Sequence, residues 1–355
     1  MNDGLISRDL TQDDCFRLPE LLKKVWKIKT SRDYWHWKYF DSPFENKGMV
    51  IENKNGDIVA FVGFWGRLIK VRDKYIYAYT SLDLMIDPKY RGGKIFSLLT
   101  KRIKSELIGD HIFFGFPNLP SYKLHRRFFR NLITVDAKIP VFKSPINIGT
   151  CLQLNKSIKD IANIFSRIVQ TLHCRISRNM KIRVQAVHDF GDDFDQLWRN
   201  ICDEYLWVQD RRKDFLQWRF ELHPLRKYKI WKATEQGEIV GYLVATIDRS
   251  QKITKGFLMD WFVSRKRVDV FQTLVNTAFI WFINQKADVV ETWLMNHEKQ
   301  WGKILKKYYF RKSKKSRLFL YGMGSSFERD EPIHENVQNF FFTLGDSDYL
   351  GTTDI

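Results

Sequence analysis

The sequence predicts an α+β fold built twice over, and three observations carry that expectation. The first is an internal repeat. Asp33, Trp37, Lys38, Tyr39 and Pro43 are answered 181 residues later by Asp214, Trp218, Arg219, Phe220 and Pro224. The same register sets Gly56-Asp-Ile-Val-Ala60 against Gly237-Glu-Ile-Val-Gly241. A repeat this long means a duplicated domain, since solenoid periods are only about 20–50 residues. The second observation is the order of patterns in each copy: helix, strand, hairpin, long strand, helix, strand, helix. Antiparallel strands that feed a β-α-β crossover give a mixed sheet with helices packed on it. The third is Asp83-Leu-Met-Ile-Asp-Pro-Lys-Tyr-Arg-Gly-Gly-Lys94, an alternating apolar strand that turns sharply into a basic glycine pair and an amphipathic helix.

Taken in order, residues 1–143 form the first copy, with its opening helix over Leu18–Trp26 and a glycine turn at Gly56. Residues 144–182 are a connector whose apolar residues recur at helical spacing over Ile158–Leu172. The second copy runs over 183–325, opening with a helix at Phe194–Trp207. The acidic tail 326–355 carries Phe340-Phe-Phe-Thr343, which is either a strand completing a sheet or a segment packed on one domain. Two cores are expected from a chain of 355 residues, and 28 Phe and 12 Trp can fill them.

Composition narrows the setting. Cys15, Cys151, Cys174 and Cys202 stand far apart in no ligand spacing, which reads as reduced thiols in a cytoplasmic protein without a metal site. The N-terminus lacks the apolar core of a secretion signal, and no apolar run approaches the roughly 18–20 residues that span a bilayer. The net charge is +18, with basic residues gathered at 101–104, 123–130 and 303–317. Such a surface either draws an acidic partner (a nucleotide-linked sugar, an acidic polysaccharide, a membrane surface, RNA) or is simply solvated. No nucleic-acid module accompanies it, so nucleic acid is not the expected partner.

A strand entering a helix through exposed amides is a cradle for pyrophosphate. The first helical turn has N–H groups without intrahelical partners, and the helix dipole favours an anion there. Gly92 and Gly93 allow close approach, and Arg91 adds a multidentate cation. Ile86, Pro88, Arg91 and Gly92 match the loop "V-x-P-x-x-R-G-x-G" of the GNAT N-acetyltransferase superfamily, which this chain resembles; Lys94 stands at the second glycine of that loop. The order of elements is similar too, so the chain resembles a tandem GNAT protein with two mixed sheets flanked by helices. At the equivalent corner of the second copy stands Ser264-Arg-Lys-Arg-Val-Asp269, without glycine. That copy reads as degenerate, unless Arg265–Arg267 hold pyrophosphate by charge alone.

The resemblance implies acetyl-coenzyme A, or another acyl-coenzyme A, as co-substrate. Its pantetheine would pair with Leu84, Met85 and Ile86, and its pyrophosphate would sit on Arg91, Gly92, Gly93, Lys94 and Ile95. Asn118, Ser121 and Leu124 fit the family pattern "N-x-x-[AS]-x-x-L-Y-x-x-x-G-F", with His125 at the Tyr and Phe129 at the Gly. Direct attack by an amine on the thioester needs a base, and Asp83 is either that base or a turn-closing carboxylate. Protonation of the departing thiolate falls to His125, unless it is a surface residue, or to Tyr122, which points roughly 60° away on the helix. Phe114-Gly-Phe-Pro-Asn118 resembles the "F-P-N-x-x-S-Y" signature of acetyltransferases encoded among bacterial polysaccharide genes, which points to an amine on a sugar or cell-envelope precursor. Trp65 has no twin in the repeat and is the candidate for the acceptor cleft, whereas Trp37 and Trp218 read as core anchors. Two other functions remain open: a ligand-binding protein without turnover, and an aminoacyl-tRNA-dependent aminoacyltransferase.

Overall fold

The computed structural model describes residues 4–106, 111–130, 133–176, 179–295, 298–323 and 340–348. The first half runs β1 (Ile6–Asp9), α1 (Leu18–Trp26), α2 (Arg32–Tyr39), β2 (Lys47–Glu52), β3 (Ile58–Val71), β4 (Lys74–Ile86), α3 (Gly93–Glu106), β5 (Ile112–Gly115), α4 (Leu119–Phe128) and β6 (Ile133–Pro145). A short α5 (Ile148–Cys151) and a long α6 (Lys156–Ile176) follow. The second half comprises β7 (Arg183–Val187), α7 (Asp192–Ile201), β8 (Trp207–Gln209), α8 (Lys213–Leu216), β9 (Lys229–Glu235), β10 (Glu238–Asp248), β11 (Lys255–Val263), α9 (Val268–Asn284), β12 (Val289–Trp293), α10 (Lys299–Lys307) and β13 (Arg311–Met323). Last comes β14 (Phe340–Phe341).

Local chemistry sets several boundaries. Pro19 sits in the first turn of α1, where a missing amide costs nothing. The Ser31 hydroxyl caps α2 by accepting from the Tyr34 amide at 3.3 Å. Gly56 (φ 81°) and Gly237 (φ 90°) make the β2–β3 and β9–β10 turns in the left-handed region, so the repeat extends to backbone conformation.

The two expected mixed sheets are halves of one fourteen-stranded sheet. Its main order is β1-β2-β3-β4-β5-β13-β6-β12-β11-β10-β9-β7. Under the repeat this order is a palindrome, with β13 the counterpart of β6. Each half has therefore given its last strand to the other: β13 pairs with β5, and β6 pairs with β12. A boundary drawn at residue 143 cuts through β6, a strand the second half uses.

The pseudo-two-fold relation is visible in single side chains. The Trp37 indole donates to the Trp218 carbonyl at 2.9 Å, and the Trp218 indole donates to the Trp37 carbonyl at 2.9 Å. Their rings stack 5.2 Å apart. Both residues are buried, so each N–H meets an acceptor that would otherwise be orphaned.

The C-terminal segment enters this centre. β14 pairs in parallel with β8, which pairs with the end of β3, and Phe342 packs on Phe114, Phe116 and Trp207. Phe340–Thr343 thus adds a strand and also fills the core. Among the described residues no helix is long and apolar enough to cross a membrane.

Candidate active site

Two strand-to-helix corners occupy equivalent places, and they differ in what reaches their amides. In the first half β4 pairs in parallel with β5 at Ala78–Ile112, Tyr79–Phe113 and Thr80–Phe114. β5 stops at Gly115 while β4 continues to Ile86, so the edge of β4 beyond Thr80 has parted from β5. The turn that follows is self-contained: the Asp87 carboxylate accepts from the Lys89 amide at 2.9 Å, and the Asp87 carbonyl accepts from the Tyr90 amide at 2.8 Å. Arg91 and Gly92 are exposed, and nothing lies within 4 Å of where a Cβ on Gly92 would stand. α3 begins at once, at Gly93. A diphosphate therefore fits this corner on steric grounds, with helix N–H groups and the Arg91 guanidinium as donors.

In the second half the corresponding corner is filled by the chain itself. The Glu204 carboxylate accepts from the Arg265 amide at 2.6 Å and from the Ser264 hydroxyl at 2.7 Å. Arg265 is paired with Glu298 at 2.9 Å, and Arg267 with Glu235 and Asp269 at 3.0 Å each. Glu204 thus closes the turn before α9, the Asp269 carboxylate accepts from the Val270 amide in the first turn of that helix, and these guanidiniums already hold acidic partners.

Asp83 lies in a bulge of β4 opposite Phe61–Gly63, with φ at 52°. This left-handed conformation is tolerated by Asp better than by most residues, and it turns the carboxylate toward α2. There Lys38 Nζ and the Tyr39 hydroxyl both donate to Asp83 Oδ2 at 2.7 Å, and Asp348 lies 3.7 Å from Lys38. Burial pushes the Asp83 carboxyl above its ordinary range, against the pull of Lys38. Gly63 is obligatory beside this cluster, because any Cβ would overlap the Tyr39 hydroxyl.

The α4 candidates form a separate group. Asn118 caps α4, its side-chain oxygen accepting from the Ser121 amide at 3.0 Å. His125 Nδ1 donates to the Ser121 carbonyl at 2.8 Å, and burial lowers the His125 pKa. The neutral ring consequently carries its proton on Nδ1 and leaves Nε2 as an acceptor. The Tyr122 hydroxyl donates to Asp136 at 2.8 Å. Phe96 on α3 packs on Phe128 at 4.6 Å, which joins this group to the corner helix.

Leu84 and Ile86 pack with Ile95 and Leu99 under α3, while Met85 turns to the opposite face with the α1 and α2 core. Asp83 is gathered with Lys38, Tyr39 and Trp65 on that opposite face. Trp65 is 1% exposed, its indole donating to the Lys38 carbonyl at 3.1 Å and its ring covered by Arg67 and Trp218. Sequence reasoning missed Lys38, Tyr39 and Asp348. The signal that could have found Tyr39 is Gly63, a glycine inside a strand pattern, which marks a close approach.

No protein-family model matches the sequence, and no curated protein is similar to it at the sequence level. Solved structures do match its shape. N-myristoyltransferase of Saccharomyces cerevisiae with bound myristoyl-CoA superposes with a TM-score of 0.59 at 13% identity, over 90% of this chain and 79% of that one. A GCN5-related N-acetyltransferase from Anabaena variabilis gives 0.60 at 12% identity, over 89% of this chain and 72% of that one. One from Kribbella flavida gives 0.58 at 10% identity, over 90% and 71%. The fold is that of these N-acyltransferases.

Proposed function

We propose that this chain is an acyl-coenzyme A-dependent N-acyltransferase that acetylates an amine, on an amino sugar or cell-envelope precursor, in the cytoplasm. The observation carrying this reading is the contrast between the corners: nothing approaches Gly92, whereas its counterpart Asp269 places a carboxylate in the first turn of α9, held by the Val270 amide and Arg267. Arg91, Gly92, Gly93, Lys94 and Ile95 would hold the pyrophosphate. The edge of Leu84, Met85 and Ile86, beyond the last β5 pair, would take the pantetheine, with Asn118 and Ser121 nearby on the α4 turn. When bound, the co-substrate supplies an activated acyl thioester. Asp83, raised by burial and held by Lys38 and Tyr39, is the group to receive the amine proton. Tyr122 keeps its phenolic proton, its pKa raised by burial and by Asp136, and is the donor for the thiolate. Trp65 backs the acceptor side through its contact with Lys38.

A second reading, ligand binding without turnover, is favoured by one fact. Asp83, Tyr122 and His125 are all engaged by protein partners. Thermal-shift titration and thiol release separate the two. Acetyl-coenzyme A is expected to raise the melting temperature. Arg91→Ala is expected to weaken its binding by about 1.5–3 kcal/mol, the worth of a charge-assisted hydrogen bond. Unchanged affinity in Arg91→Ala removes the corner from the site. Binding without thiol release in the presence of amino-sugar acceptors selects the second reading.

A further inference from the structure

Helix α6 is turned inside out. The face it lays on the protein is polar: Asn163, Ser166, Gln170 and Cys174 are its buried residues. Ser166 donates to the Ile146 carbonyl at 2.7 Å, Gln170 to the Pro145 carbonyl at 3.0 Å, and Asn163 to Thr150 Oγ1 at 2.9 Å. The face turned to solvent is apolar: Ile158, Ile161, Phe165, Ile168, Leu172 and Ile176 are 51–83% exposed. A helix that merely packs on its own domain shows the opposite pattern. Leu152 and Met180, 64% and 85% exposed, extend the apolar surface at either end. Connecting these residues to solvent forfeits the burial free energy of a whole helix face, so something covers it.

We propose that this face docks the protein on an anionic lipid bilayer, with α6 lying in the plane of the headgroups. Charge decides the occupant. Residues 143–188 contain eight Lys and Arg and a single acid, Asp160. The basic end of α10 closes up alongside, where the Tyr308 ring meets His173 of α6 at 5.2 Å. A second copy of the chain is the poorer partner. Antiparallel pairing of two α6 helices sets Lys156 and Lys159 against Arg175, and parallel pairing sets each cation against itself. Ile164, 58% exposed, also widens the stripe beyond a coiled-coil seam. Apolar side chains framed by cations are what an interfacial helix presents to acidic headgroups. The inference stands apart from the acyltransferase reading and survives its failure.

The test is flotation of the full chain with vesicles of phosphatidylcholine alone or mixed with phosphatidylglycerol. Binding is expected to mixed vesicles and to fall with salt. Ile161→Gln with Phe165→Gln is expected to lower partitioning about tenfold or more by removing inserting side chains. The melting temperature should stay unchanged, because both residues are solvated in the free protein. Arg175→Gln with Lys181→Gln should weaken binding severalfold while leaving the apolar face intact. No flotation on mixed vesicles overturns the proposal, and so does undiminished flotation of the Ile161/Phe165 variant. A dimer in sedimentation velocity that this variant dissolves assigns the face to a second copy and overturns it too.

Discussion

The two halves of this chain meet the same problem, a buried aspartate near the middle of the sheet, with different side chains. In the first half Asp83 is held by Lys38 and Tyr39. In the second, Asp260 is held by Arg211, Tyr242 and Thr343, at 3.2, 2.7 and 2.7 Å. The phenol has changed places. Tyr39 corresponds to Phe220 and Tyr242 to Phe61, so one copy supplies the hydroxyl from a helix and the other from a strand. The C-terminal segment then makes the halves unequal. Asp346 joins Arg211 at 2.9 Å, and the Gly345 and Ser347 carbonyls accept from Arg219, the counterpart of Lys38. One half keeps an open corner and a buried ion pair whose further neighbour, Asp348, reaches solvent; the other is braced on both counts.

The largest expected effect tests that bracing. Arg211 compensates two carboxylates, Asp260 and Asp346, that are each about as buried as it is. Arg211→Met leaves both without their cation and is expected to cost about 3–5 kcal/mol in urea denaturation. Lys38→Met should cost less, since its second neighbour, Asp348, reaches solvent. Equal losses would mean that the C-terminal segment contributes nothing to the asymmetry. The coenzyme-dependent thermal shift should survive in Arg211→Met, because β8 meets β3 at Ile69–Val71, whereas the open corner follows Ile86, which pairs with Ala60 at the other end of β3.

A second difference is one of titration. After α2, the Ser42 hydroxyl accepts from the Phe44 amide at 3.2 Å. At the equivalent turn of the second half, His223 Nδ1 accepts from the Leu225 and Arg226 amides at 3.2 Å, with its ring 4.3 Å from Trp37. Burial, then Arg219, Arg226 and Lys38, push the His223 pKa down to about 2. The folded state thus binds fewer protons than the unfolded one between that value and about 6.5. Stability present above pH 6.5 is lost as pH falls, by roughly 2–3 kcal/mol at pH 4.5, two pH units below. His223→Ser, which copies the first half, should be weaker at pH 7 through lost packing. Its deficit relative to the parent should then shrink by that amount at pH 4.5. A constant deficit across this range would show that His223 does not titrate on unfolding.

Much of this architecture was legible in the sequence, because duplication writes itself as a register. The Trp37–Trp218 alignment gave the two copies, and Arg91-Gly92-Gly93 against Ser264–Asp269 gave their inequality. The strand exchange was not legible. β6 alternates in polarity like any other strand and β13 opens on an unbroken polar run, and nothing local says which half either strand will pair with. Nor was the cluster around Asp83 legible beyond Asp83 itself. Lys38 reads as a surface cation on an amphipathic helix, and its burial depends on carboxylates that are 45 and 310 residues away along the chain. The helix at 158–172 was found by its apolar spacing, yet that spacing does not say whether the apolar face looks inward. Only the polar contacts of Asn163, Ser166 and Gln170 reveal that it looks out.

The smallest effect is the most discriminating test of the duplication. Trp37 and Trp218 exchange indole-to-carbonyl hydrogen bonds of equal length across the pseudo-axis. If the two sites are equivalent, Trp37→Phe and Trp218→Phe should destabilise the protein equally. Each removes one donor and strands one buried carbonyl. In the double variant the remaining stacked pair differs from either single, and a coupling energy of about 0.5–1.5 kcal/mol is expected beyond the sum of the parts. The environment is not perfectly symmetric, however. Both rings meet Trp65, but Trp37 also faces Tyr34 and His223, whereas Trp218 faces Phe215. His223 stays neutral in the folded protein at pH 4.5, so the difference in cost between Trp37→Phe and Trp218→Phe should be the same at pH 7 and at pH 4.5. Unequal costs at pH 7 would place the break in symmetry in the rings that flank each indole; a difference that changes between pH 7 and pH 4.5 would show that His223 takes up a proton in the folded protein.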